Sequence, residues 1–240
     1  MNTPSRALFV TLFVAALAAL AGCVGTLSPG SGPAADAPVY RVGDRWVYSA
    51  EDGFRQKTRW EETHEVMAIG ADGITVRVTQ KGDTTDVTRT EQWAAPGRVN
   101  IGTVCNDQTR RFATPLQRFD FPLAAGKVWN QRVDNFNEFT RATGSINHWV
   151  RVRGWEKVTT PAGTFDALSL QVITRLDDEE FWRHATECNF AVWYAPAVGG
   201  SVREEQDAQY VEKSGGPPGN ATVRTRHAVL ELVSFTPGKP

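Results

Sequence analysis

A run of alternating side chains, Ile74, Val76 and Val78 set between Thr75, Arg77 and Thr79, most tightly limits what this chain can become. A period of two puts the apolar residues on one face of an extended strand and the polar ones on the other. A strand with one apolar face buries it only as part of a larger sheet, so this pattern calls for partners. Turn residues stand on both sides, Gly70-Ala71-Asp72-Gly73 before the run and Lys81-Gly82-Asp83 after it. Extended runs lie beyond each turn, at 57–69 and at 84–93, which reads as a meander of hairpins. No stretch of ten or more residues carries a convincing helical period.

The rest of the chain repeats this grammar. Strands are expected at 45–48, at 99–112 with Cys105 inside it, at 148–159 with a bend or bulge at Gly154, and around Leu168, Leu170 and Val172. Further strands are expected at 190–194, 201–211 and 222–235, with a flexible loop at 215–220. The acidic run 177–180 and the stretch 134–138 read as solvated connections, and a single helical turn is expected within 110–118. Gly126-Lys127-Val128-Trp129 repeats the spacing of Gly43-Asp44-Arg45-Trp46. Residues 39–236 are therefore expected to form one all-β domain, a large curled antiparallel sheet or half-open barrel of about ten strands, followed by a disordered tail at 237–240.

The N-terminus has a different character. One cation, Arg6, precedes an apolar segment, Ala7–Ala21, of about fifteen residues, the length of a signal-peptide core and short for a membrane span. It ends in Leu20-Ala21-Gly22-Cys23, which resembles the lipobox of bacterial lipoproteins. That resemblance implies cleavage after residue 22, a diacylglycerol on the Cys23 thiol and acylation of the new amino terminus. Two or three acyl chains hold a protein stably on a bilayer, where one does not. Residue 24 is Val rather than the aspartate of inner-membrane retention, so in a Gram-negative host the resemblance implies an outer-membrane lipoprotein facing the periplasm. Residues 23–38, rich in Gly, Ser, Pro and Ala, are expected to be a lipidated, flexible tether with a reach of about 20 Å.

Loss of residues 1–22 removes one cation and moves the formal net charge from −1 to −2. No basic stripe is present, so nucleic acid is not an expected partner and the lipid is the expected contact with the membrane. With Cys23 assigned to lipid, Cys105 and Cys188 are expected to pair in an oxidising compartment, two unpaired buried thiols being the alternative. His184 stands four residues before Cys188, but no second histidine or Cys-x-x-Cys accompanies it, and no metal or cofactor is expected.

Three local patterns carry a second resemblance: Phe121-Pro122-Leu123 with Gly126 and Trp129; Thr160-Pro161-Ala162-Gly163-Thr164-Phe165; and Val192-Trp193-Tyr194-Ala195-Pro196 with Gly199. In this order they resemble periplasmic proteins built as curled β half-barrels, similar in shape to the lipoprotein localisation factors. The resemblance implies fold rather than activity.

Catalytic templates are absent: no His-Glu-x-x-His, no Gly-x-Ser-x-Gly, no Ser-x-x-Lys with its partners. The histidines at 64, 148, 184 and 227 fall in separate expected strands. A binding protein rather than an enzyme is expected. Eight tryptophans spread along the strands offer an apolar groove, and Trp60, Trp93, Trp149 and Trp193 are its candidate lining. The expected function is to bind an apolar or amphipathic ligand (a lipid, lipopeptide or glycan) or an envelope protein partner. The alternative is a scaffold or accessory subunit of an outer-membrane assembly, and a hydrolase is a third.

Overall fold

The computed structural model describes residues 32–53, 57–213 and 220–239. The signal segment 1–22, Cys23, the first part of the tether and most of the 215–220 loop lie outside the described residues.

Alternation becomes architecture directly. Ile74, Val76 and Val78 are buried and point to the same side as Gln80, while Arg77 on the other side is exposed. Twelve antiparallel strands repeat this arrangement: β1 (Arg45–Asp52), β2 (Thr58–Gly70), β3 (Gly73–Gly82), β4 (Asp86–Ala95), β5 (Arg98–Val104) and β6 (Asn106–Gln117). The second six are β7 (Val128–Asn137), β8 (Ala142–Thr160), β9 (Gly163–Arg175), β10 (Glu187–Ala195), β11 (Gly200–Val211) and β12 (Thr222–Thr236). Each pairs with its neighbour in sequence, and β1 pairs with β12 from Arg45↔Thr236 to Asp52↔Ala228. The sheet therefore closes into a barrel, where the sequence led us to expect a half-open one of about ten strands. Closure covers the strand edges along most of the ring, the short ladder being β6–β7, from Arg110↔Asn137 to Phe112↔Asn135.

Two strands account for the difference in number. The run 99–112 breaks at Cys105, whose φ of 59° makes the tight turn between β5 and β6. The stretch 134–138, expected to be a connection, continues β7 as far as Asn137. The expected helical turn at 110–118 is instead strand: Phe112 and Leu116 are buried at a spacing that keeps period two, and β6 pairs with β5 and β7. Gly154 does bulge β8, where the register shifts between Val152 and Gly154.

An even number of strands returns both chain ends to the same rim. That rim carries the β2–β3, β4–β5, β8–β9 and β10–β11 turns and the long β6–β7 connection, residues 118–127. The connection folds in to plug the rim. Leu123, fully buried, exchanges backbone hydrogen bonds of 2.8 Å with Ala35 in each direction. Phe119 and Phe121 place their rings 5.4 Å from that of Tyr194. The tether expected over 23–38 is thus docked by Ala35, because the plug offers it both hydrogen bonds and an apolar seat with Trp129, Leu168 and Leu170. The C-terminal segment expected to be disordered is held here too, Gly238 donating its N–H to Asp44 Oδ1 at 2.7 Å. All three motifs of the second resemblance gather at this rim. At the opposite rim the disulfide between Cys105 and Cys188 ties the β5–β6 turn to β10, with Cα atoms 5.9 Å apart.

Candidate functional site

The inward-facing side chains change along the barrel axis. Toward the plugged rim they are apolar: Trp46 and Tyr48 on β1, Val76 on β3, Leu230 and Leu232 on β12. Toward the disulfide rim the same strands, at the same period, turn inward Glu62 and His64 on β2, Gln80 on β3, Arg89 and Glu91 on β4, Glu204 and Gln206 on β11, and Arg226 on β12. Twelve strands enclose more volume than the side chains fill, and a cavity of about 140 Å³ remains among these groups. Its far wall, from β6 to β10, mixes Leu116, Phe119, Val172, Phe190 and Val192 with Arg118, His148 and Thr174.

The charged wall is built of interlocked pairs. Glu62 is 5% exposed; its Oε1 lies 2.7 Å from His64 Nε2, and its Oε2 accepts from Gln80 Nε2 at 2.7 Å and Trp60 Nε1 at 3.2 Å. Glu91, 2% exposed, accepts at Oε2 from Trp93 Nε1 at 2.8 Å and from both terminal nitrogens of Arg118. Burial alone pushes each carboxyl's pKa up, but these donors and the nearby Arg89 and His64 outweigh it and hold both below the usual carboxylate range. His148 donates or accepts at Nδ1 with Thr174 Oγ1 at 2.8 Å. Burial and the Arg118 charge bring its pKa down to about 4, against a smaller opposing pull from the Gln117 carbonyl.

Among the described residues several cavity groups are left incompletely answered, His148 Nε2 being one. Arg89 reaches Thr103 Oγ1 only at 3.5 Å and Glu91 Oε1 at 4.0 Å, and its Nε and Nη1 are buried without a hydrogen bond among the described residues. Among the described residues Glu204 accepts from neutral donors, Ser201 Oγ at 2.7 Å and Gln206 Nε2 at 2.8 Å. Arg226, by contrast, lies 3.5 Å from Asp107 Oδ2, although its Nε is likewise without a hydrogen bond. A shallower depression on the disulfide side shares Cys105, Asn106, Asp107 and Arg226 with the cavity and continues to Trp182, Arg183 and Tyr210.

The tryptophans are not the lining expected of them. Trp60 and Trp93 face inward but stand behind the wall, donating to Glu62 and Glu91. Trp149 lies between the inward residues His148 and Val150 and so faces out. Trp193 also faces out, donating to Glu156 Oε2 at 2.9 Å beneath Arg203. Of the histidines, the fold brings His64 and His148 to the cavity and leaves His184 and His227 outside its lining. Among the described residues no three His, Cys, Asp or Glu side chains gather as a metal site. The site residues were missed because charged residues in a strand read as its wet face. The signal was parity: Glu62 and His64 share theirs with Val66, and Glu91 shares its own with Trp93.

With the barrel and its lumen in view, two solved structures compare with this chain. A "putative exported protein" with a YmcC-like fold from Bacteroides fragilis NCTC 9343 matches with a TM-score of 0.50 and 12% identity, over 85% of this chain and 100% of its own. The fold is similar to the YmcC-like one. A "putative lipoprotein" from Parabacteroides distasonis ATCC 8503 gives a TM-score of 0.49 and 14% identity over the same shares. Such identities speak to fold alone. No family model and no curated protein matches the chain.

Proposed function

We propose that this protein is a lipid-anchored cell-envelope protein that holds a small polar ligand in the lumen of its barrel. The observation that carries the ligand reading is Arg89, a cation at the cavity wall whose buried Nε and Nη1 have no hydrogen bond among the described residues. A buried donor without an acceptor is costly, about 1–3 kcal/mol and more for a charged group, so a site that keeps one is suited to a ligand that supplies the acceptor. A void of about 150 Å³ admits a benzene ring, and this one measures about 140 Å³ before it continues into the depression on the disulfide side.

The anchor reading rests on Leu20-Ala21-Gly22-Cys23 and on the rim from which the described chain begins. Both chain ends leave from the plugged rim, so an anchor at Cys23 sets that rim toward the bilayer and the disulfide rim away from it. Outer-membrane, periplasm-facing attachment is the placement that Val24 favours in a Gram-negative host. A second reading, docking in an envelope assembly, is favoured by Phe139, Phe181 and Trp182, exposed by 77%, 90% and 42% on connections of the disulfide rim.

Native and denaturing mass spectrometry of the protein extracted from the envelope fraction tests anchor and ligand together. Mass lost on denaturation identifies a lumen ligand, and mass retained on Cys23 identifies the acyl groups. An unmodified Cys23 rules out the anchor, and an empty lumen in every preparation rules out the ligand reading.

A further inference from the structure

The outer surface of the barrel carries a pattern of its own on the flank formed by β7, β8 and β9. Trp149 and Arg151 face out from β8, between residues that are buried, and Arg153, the extra residue of the bulge between Val152 and Gly154, is exposed beside them. Arg132 and Val128 flank them on β7 and Ile173 on β9, with Val128 exposed by 49% and Ile173 by 39%. Residues 128–132, 147–153 and 171–173 include no aspartate or glutamate. Arg132 donates from Nε to Ser145 Oγ at 2.8 Å, while the Arg151 and Arg153 side chains make no hydrogen bond or ion pair among the described residues. Elsewhere on the wall outward cations stand beside acids, as Arg77 does with Glu65 and Lys157 with Asp166. Sequence order separates the three arginines and so shows no basic stripe. Pairing of β7 with β8 gathers them around an outward tryptophan.

The N-terminal segment leaves the barrel on this same flank. Trp155, two positions after Arg153, donates from Nε1 to the Pro33 carbonyl at 3.1 Å. A strand rises about 3.3 Å per residue, which puts Arg153 about 7 Å and Arg151 about 13 Å from that exit. Gly32 stands nine residues after Cys23, a span of at most about 30 Å. Acyl chains on Cys23 therefore bring a bilayer within reach of all three arginines. Resting on the lipid-anchor reading, we propose that the β7–β9 flank leans on the bilayer as a contact surface for anionic phospholipid headgroups. The unpaired arginines meet the lipid phosphates, and Trp149, Val128 and Ile173 supply the amphipathic and apolar area that suits the headgroup boundary. The acyl chains hold the protein at the membrane, and the arginines select the side of the barrel that faces it.

The test uses the full mature chain with Cys23→Ser, which removes the acylation site so that only the flank can bind. It is co-sedimented with vesicles of phosphatidylcholine alone, or of two parts phosphatidylcholine to one part phosphatidylglycerol. Binding is expected to the mixed vesicles only, and to disappear in high salt. Each arginine near an anionic surface strengthens binding about fivefold, so changing Arg132, Arg151 and Arg153 together to Gln is expected to weaken it about a hundredfold. Changing Arg59, Arg77 and Lys81 to Gln removes the same charge from β2 and β3, across the ring and beyond a Debye length of about 10 Å, and is expected to change binding less than about twofold. Circular dichroism verifies that the variants are folded; if the triple variant is not, the salt dependence and the single change Arg153→Gln, about fivefold weaker, decide. No binding to the mixed vesicles, equal binding to both compositions, or an equal loss in the β2–β3 variant overturns the flank. The anchor stands or falls separately on the mass of Cys23, and an unmodified Cys23 leaves the flank to this test.

Discussion

Arg118 donates two hydrogen bonds to a single oxygen of Glu91, 3.3 Å from Nη1 and 3.2 Å from Nη2. The pair joins the first residue of the plugging connection to the inner wall of β4. It also sets the Arg118 guanidinium 5.8 Å from the Trp93 ring, whose Nε1 donates to the same carboxylate. Removing the cation leaves the buried carboxylate with only the more distant Arg89, 4.0 Å away, as a counter-charge. Arg118→Met is expected to cost about 3 kcal/mol, and Glu91→Gln, which removes the charge but keeps an acceptor, about 1 kcal/mol. Urea unfolding of the two variants checks the order, and an equal or smaller loss for Arg118→Met refutes it.

The disulfide closes a separation of 83 residues between a turn and a strand that are not neighbours in the sheet. In the chain-entropy model a loop of that size is worth about 4 kcal/mol. Replacing both cysteines by Ala is expected to lower the unfolding free energy by about that amount, measured in urea beside the oxidised protein. An unchanged midpoint shows that the bond does not constrain the unfolded chain.

Acid is expected to weaken the fold in two stages. His148 is depressed to about 4 from an ordinary value near 6.5, so the unfolded chain takes up that proton first. Stability then declines as pH falls from about 6.5 to about 4, by about 3 kcal/mol in all for this one group. Glu62 and Glu91 are depressed carboxyls, so the stability they contribute is present above about 4.5 and is lost as pH falls through their lower folded values. In His148→Gln the decline between pH 6.5 and 4 is expected to flatten while the steeper acid loss stays. An unchanged slope in that window excludes His148 as its source.

Gly73 opens β3 with φ at 106°, and a Cβ there meets the Trp93 carbonyl oxygen at 2.2 Å. Gly73→Ala is therefore expected to cost about 3 kcal/mol from backbone strain and displacement of β4. A thermal melt within a degree of the parent refutes the close approach.

The strands were legible where polarity and parity agreed. Ile74, Val76 and Val78 announce β3, and the paired glycine–tryptophan spacings mark the starts of β1 and β7, where Gly43 and Gly126 both take positive φ and Trp46 and Trp129 are both buried. Cys105 was legible as half of a disulfide but not as a turn, because a non-glycine residue at φ 59° has no sequence signature. Barrel closure was not legible at all, since nothing in β1 or β12 taken singly says that the first strand meets the last. The site suffered from the same limit. Arg89 and Glu204 are ordinary charged residues in alternating strands, and only closure of the ring converts their inward face from solvent to interior.

Ala35 makes an isolated bridge with Leu123 of the plug, ten residues before the chain enters β1 at Arg45, and Pro33 just before it accepts from Trp155 Nε1 at 3.1 Å. Tension arriving from the N-terminal side therefore reaches the single Trp155–Pro33 hydrogen bond and the Ala35–Leu123 pair before it reaches the β1 ladders. The short pair yields first and the long β1 ladders afterwards, so the barrel can ride a pull at its N-terminus with its interior intact, the plug acting as a mechanical fuse.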